Sequence, residues 1–141
     1  MKVYSVTQTI QASRETIWAI LTDASSWPDW NTTIDKVEGR IALGEKIKVF
    51  TKLTPGRAFP AKITEFLPGK KMTWTGGMPL GLFKGERTYT LTNQSNGAVE
   101  FAMREVYTGL MAPLITRSIP DLQPSFDEFA AALKNRAEGG G

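Results

Sequence analysis

Hydrophobic positions recur at two periods along this chain, and the change of period marks off its elements. Residues 2–10 are rich in Val, Ile, Thr and Tyr and predict a strand. Ser13 then suits a helix N-cap, with Glu15 placed to favour the helix dipole and Thr16 where a capping box wants Glu or Gln. Ile17, Ile20, Leu21 and Ala24 form a helical stripe, and Trp18 widens it. Trp27-Pro28-Asp29-Trp30-Asn31 suits a short second helix or a tight turn. From Ile34 the period becomes two. Residues 34–41, 46–53, 59–67, 71–78, 83–93 and 98–108 predict further strands, separated by short turns such as Pro55-Gly56, Pro68-Gly69 and Ser95-Asn96-Gly97. Consecutive short connections imply an antiparallel meander. The helical period returns with Leu122, Phe126, Phe129, Ala130, Leu133 and Ala137, with Asp121 as N-cap and Pro124 in the first turn. An antiparallel sheet buries one face, and this long helix is the element that can cover it. The expected organisation is α+β: one domain over residues 1–138 and a glycine tail at 139–141.

Strand parity separates inward from outward side chains. Over 46–53 the apolar face holds Ile47, Val49, Thr51 and Leu53; over 59–67 it holds Phe59, Ala61, Ile63 and Leu67. Further along it holds Met72, Trp74 and Met78, then Phe83, Tyr89 and Leu91, then Val99, Phe101, Met103 and Tyr107. Arg87 and Glu105 fall among these apolar residues. A three-residue loop at 95–97, with Gly97 left-handed, sets Gln94 opposite Ala98 and Arg87 opposite Glu105. A four-residue loop sets Arg87 opposite Tyr107 and Glu105 opposite Tyr89. In either register the charges meet in apolar surroundings, where an isolated charge is costly and a bonded Arg–carboxylate pair persists. The pair serves only to satisfy itself, or it orients a ligand together with Tyr89 and Tyr107.

Composition narrows the chemistry. The chain has 141 residues, enough for a core without disulfide or metal. Lys plus Arg is 17 and Asp plus Glu is 14, a net charge of +3 that is too weak to argue for nucleic acid. Cys and His are absent, which removes thiol nucleophiles, His-based triads and Cys/His metal sites. No metal or organic cofactor is implied. There is no export signal and no apolar run of membrane-spanning length, so a cytoplasmic protein without integral membrane insertion is expected. Lys46, Lys48, Lys52, Lys62, Lys71 and Lys84 fall mostly on outward faces, where they solvate the sheet.

The order strand, two short helices, six strands, long helix resembles the helix-grip fold of the SRPBCC superfamily. That group includes START-type lipid-binding domains, the birch pollen allergen family and polyketide cyclase/dehydrase-like proteins. The resemblance rests on Ser13-Arg14-Glu15-Thr16-Ile17-Trp18, Asp23, Trp27-Pro28-Asp29-Trp30-Asn31, Ile63-Thr64-Glu65-Phe66-Leu67-Pro68-Gly69, Met72-Thr73-Trp74 and Leu133-Lys134. It implies a curved seven-stranded antiparallel sheet wrapped around the C-terminal helix. Where some relatives carry His on the sixth strand, this chain has Arg87.

The leading expectation is binding or carriage of a small hydrophobic molecule (lipid, polyketide-like or isoprenoid) in a cavity between sheet and C-terminal helix. Its candidate contacts are Arg87, Tyr89, Glu105, Tyr107, Trp74, Met78, Phe83, Phe101, Met103, Met111, Phe126 and Trp30. The alternative is a cyclase/dehydratase-type enzyme, in which catalysis falls to Glu105 and Arg87, with Arg87 stabilising an enolate. A third is an interaction module. Gly-rich 76–83 forms a plain hairpin connection or an apolar rim, with 111–115 as the opposite rim. Of the tryptophans at 27 and 30, Trp30 is expected in the core and Trp27 half exposed. A monomer or weak homodimer is expected.

Overall fold

The computed structural model describes residues 2–139. The seven strands are β1 (Lys2–Ile10), β2 (Ile34–Glu38), β3 (Lys46–Thr51), β4 (Ala58–Leu67), β5 (Lys71–Met78), β6 (Phe83–Asn93) and β7 (Val99–Thr108). They form one antiparallel sheet in the order β1-β7-β6-β5-β4-β3-β2. β2 to β7 follow one another as a meander. β1 joins at the far side by pairing with β7, Lys2 opposite Tyr107 and Ile10 opposite Val99. The helices are α1 (Arg14–Thr22), α2 (Trp27–Trp30, after a 3-10 turn at Ala24–Ser26), α3 (Ala112–Ser118) and α4 (Gln123–Ala137). The sheet curls into a half-barrel, and α4 sets Phe126, Phe129, Ala130 and Leu133 into its concave face. This is the helix-grip arrangement.

Local chemistry accounts for the elements. Ser13 Oγ accepts from Thr16 N at 3.1 Å and starts α1. Ile17 and Leu21 of that helix are fully buried. At the other end of the sheet Lys134 Nζ donates to Thr9 O at 3.1 Å, and Gln11 N donates to Glu138 Oε2 at 2.7 Å. These bonds tie the last turn of α4 to the end of β1.

Several sequence expectations need correction. β2 ends at Glu38 rather than 41, because Gly39 turns with φ 108 close against Lys46 O. β3 ends at Thr51, and Leu53 is exposed beyond it. β4 carries a bulge: Ile63 opposes Trp74 while Glu65 opposes Thr73, so Thr64 is an extra residue. Parity inverts there. Phe66, not Leu67, turns inward and meets the Trp18 ring at 5.3 Å, while Leu67 and Phe59 are exposed. Trp27 is 1% exposed and not half exposed, because α2 turns it into the core. The helix α3 was not foreseen, since 109–118 has no polar spacing to mark a helix. α4 starts after Leu122 rather than Asp121, although Asp121 Oδ1 still accepts from Gln123 N at 3.1 Å. Of the expected glycine tail, Gly140 and Gly141 lie outside the described residues.

Candidate functional site

The β6–β7 hairpin builds the polar centre of the interior. Gln94 N donates to Ala98 O at 2.8 Å and Gly97 takes φ 85, so the loop is the three-residue form. Arg87 therefore stands opposite Glu105. Arg87 Nη2 donates to Glu105 Oε2 at 2.9 Å, and the Tyr107 hydroxyl donates to the same oxygen at 2.9 Å. The guanidinium lies over the Phe126 ring, 4.9 Å from its centroid. α4 thus covers the pair from above. The side chains of Arg87 and Glu105 remain 24% and 14% exposed, so the cluster is half-sheltered and reaches solvent.

Burial pulls on the protonation of Arg87, Tyr107 and Tyr89. For Arg87 it would lower the pKa, but adjacent Glu105 outweighs it and the guanidinium is held charged, above its usual range. Tyr107 is raised by burial and then by Glu105, so its hydroxyl stays a donor. Tyr89 is pushed up to about 12, mainly by burial, with Arg87 opposing. The Tyr89 hydroxyl is buried beside the Arg87 guanidinium and makes no hydrogen bond of full geometry.

Two outcomes follow for Tyr89. Tyr89→Phe removes an unsatisfied buried hydroxyl, so it is expected to raise neutral-pH stability by about 1 kcal/mol in urea unfolding. The folded-state pKa is raised above the ordinary 10.0, so the unfolded chain loses this proton first. The contribution is complete below pH 10 and declines as pH rises through about 12, and the Phe variant lacks that part of the decline. A loss of stability at pH 7 in Tyr89→Phe would show that the hydroxyl has a partner.

Other candidates separate into two groups. Trp30, Trp74, Phe101 and Met103 are core residues, 0–7% exposed. Trp27 stacks on Trp74 at 5.2 Å and meets Phe129 at 5.5 Å; Phe101 stacks on Phe129 at 6.0 Å. The space expected to be a cavity between sheet and helix is filled at this level by rings. Met78, Phe83 and Met111 instead lie at the open end of the sheet, where the β5–β6 hairpin meets the exit of β7, and Met78 is exposed there rather than turned inward. Phe83 stacks on Tyr107 at 5.6 Å. Met111 N donates to Leu82 O at 2.7 Å, which brings the two expected rims together.

Tyr4 was missed as a site residue. It is 6% exposed, meets Tyr107 edge-on at 6.3 Å and touches Phe126 at 5.8 Å. The alternation of Tyr4, Val6 and Ile10 along β1 carried that signal.

Two surface hollows lie elsewhere. One of about 310 Å³ runs between α2 and the flank of α4, lined by Asp29, Trp30, Thr32 and Glu128. Another of about 730 Å³ lies on the outer sheet face, lined by Thr64, Thr73, Thr88 and Arg104. Among the described residues, no group of three Asp or Glu side chains is placed to hold a metal ion. No helix among them is long and apolar enough to cross a membrane.

The family model described as "Polyketide cyclase / dehydrase and lipid transport" matches residues 1–138. No curated protein matches the chain. Solved structures share its fold at low identity. The Zhui aromatase/cyclase from Streptomyces sp. R1128 is 11% identical, with a TM-score of 0.75 over 97% of this chain and 93% of its own. A START superfamily protein from Mycobacterium smegmatis is 17% identical, with a TM-score of 0.71 over 96% and 97%. The Aha1 dimer from Colwellia psychrerythraea is 20% identical, with a TM-score of 0.74 over 99% and 98%.

Proposed function

Because the chain belongs to the polyketide cyclase/dehydrase and lipid transport family, we propose that it binds a small hydrophobic molecule at the open end of the grip, with the polar end of that molecule at Arg87. The supporting observation is the Arg87–Glu105–Tyr107 cluster. The hydrogen bonds from Arg87 and Tyr107 converge on Glu105 Oε2, which leaves Oε1 and part of the guanidinium edge for a ligand. Phe83 and Tyr107 supply flat apolar surface beside these groups, while buried Phe126 backs the guanidinium. Because rings fill the interior behind Tyr89, the ligand seats at the mouth rather than deep under α4. Lipid, polyketide-like and isoprenoid molecules with one carboxylate or enolate oxygen fit these groups.

A second reading has one observation in its favour. The Tyr89 hydroxyl held beside Arg87 suits stabilisation of a developing enolate, which is cyclase/dehydratase chemistry. The test is native mass spectrometry of purified protein with solvent extraction, followed by titration with a fatty acid. A copurified ligand or stoichiometric uptake is expected. No adduct and no uptake would overturn the reading.

A further inference from the structure

We propose that the open end of the sheet is a docking surface for a lipid bilayer bearing anionic headgroups. This rests on the outer tips of the loops and not on what Arg87 binds.

Leu80 is 93% exposed, Leu110 83% and Leu114 62%. Leu80 sits on the β5–β6 hairpin, Leu110 on the segment leading from β7 into α3, and Leu114 in the first turn of α3. Leu110 N donates to Gly81 O at 3.1 Å and Met111 N to Leu82 O at 2.7 Å, so the two segments form one rim. The rim is built, not slack. A Cβ on Gly109 would lie 2.8 Å from Leu82 O, and one on Gly77 would lie 2.4 Å from Phe83 O. Leu80 has φ 61, and no other non-glycine residue described has a positive φ. A bulky L side chain takes that conformation at a cost, and here the conformation holds the leucine out into solvent.

Charge selects the partner. Residues 52–59, 78–84 and 109–118 belong to the loops and strand ends of this end of the sheet. They carry Lys52, Arg57, Lys84 and Arg117 and no Asp or Glu. Asp35 and Glu86 pair with Lys52 and Lys84 and compensate them, so the excess positive charge of this end rests on Arg57 and Arg117. Arg57 lies over the Phe59 ring, 5.4 Å from its centroid. Among the described residues, neither Arg57 nor Arg117 has a carboxylate partner. An apolar rim flanked by cations complements the interface of an anionic bilayer. A second copy fits poorly, because a two-fold contact would set the same cations against one another. Separate leucine tips insert into fluid lipid without needing matched hollows in a partner.

The test is flotation with vesicles of phosphatidylcholine, alone or with about one-third phosphatidylserine. The protein is expected to float with the anionic vesicles and to be released by salt. Leu80→Asn with Leu110→Ser is expected to weaken binding about tenfold or more, with unchanged thermal melting because both side chains are exposed. Arg57→Glu with Arg117→Glu tests the charge by an independent route and is expected to lose binding comparably. No flotation with anionic vesicles would overturn the proposal. So would undiminished flotation of both variants. A dimer that the leucine variant abolishes, without vesicle binding, would overturn it in favour of a second copy. Failure of fatty-acid uptake by a protein that still floats would count against the ligand reading alone.

Discussion

Trp27→Ala is expected to lose about 4 kcal/mol of stability, the largest effect of any single substitution considered. Trp27 is the hub of the filled interior. Its ring meets Trp30, Trp74, Tyr89 and Phe129 at centroid distances of 5.4, 5.2, 6.4 and 5.5 Å. Its Nε1 donates to Leu21 O at 3.1 Å, which pins α2 beneath the end of α1. Truncation empties a ring-sized volume between aromatic neighbours that are themselves held by other contacts, so collapse is incomplete. Urea unfolding should show a lower midpoint with an unchanged slope. Indole added to the variant is expected to recover part of the loss by occupying the hole. A loss under about 1 kcal/mol would mean that the neighbours close the gap and that the interior is softer than its ring contacts imply.

The second large effect concerns the charged pair. Arg87→Met leaves Glu105 with only the Tyr107 hydroxyl on Oε2. Breaking a fully buried pair costs roughly 3–5 kcal/mol. Here both side chains keep some exposure, so about 2 kcal/mol is expected. Arg87→Met combined with Glu105→Leu should recover more than half of that loss, because the stranded charge is gone. Additive single-mutant losses would show that the two side chains are not coupled. The ligand readout separates structure from recognition. A fatty acid should bind about tenfold or more weakly to Arg87→Met, while the matching alcohol is little affected.

Much of this fold was legible because its signals are local and redundant. Period-two runs, turn residues and a capped amphipathic stretch each name an element, and they agree. Parity brought Arg87 and Glu105 to one face but left two registers open, and the three-residue loop Ser95-Asn96-Gly97 sets them opposite one another. What escaped was non-local or subtractive. A bulge at Thr64 reverses facing without changing composition, so Leu67 and Phe66 exchanged places. The burial of Trp27 depends on how α2 sits over Trp74, which no spacing encodes. Parity shows which residues face inward; whether their volumes leave a hollow is decided by packing. Trp74, Phe101 and Met103 were rightly placed inside, where the structure shows them packed against other side chains.

The pairing of β1 with β7 has a consequence for how the chain comes to be folded. The first strand finds its partner only after roughly a hundred further residues have been made, which at about 5–20 residues per second is a wait of several seconds or more. During that time β1 is an unpaired strand whose inward side chains, Tyr4, Val6 and Ile10, have nothing to cover them. The sheet cannot close, and α4 has no completed bed, until the last strand emerges. Such distant pairing makes for slow folding and an exposed nascent chain. Ribosome-bound chains truncated before residue 99 should therefore hold a chaperone, and release should follow once β7 and α4 are clear of the exit tunnel.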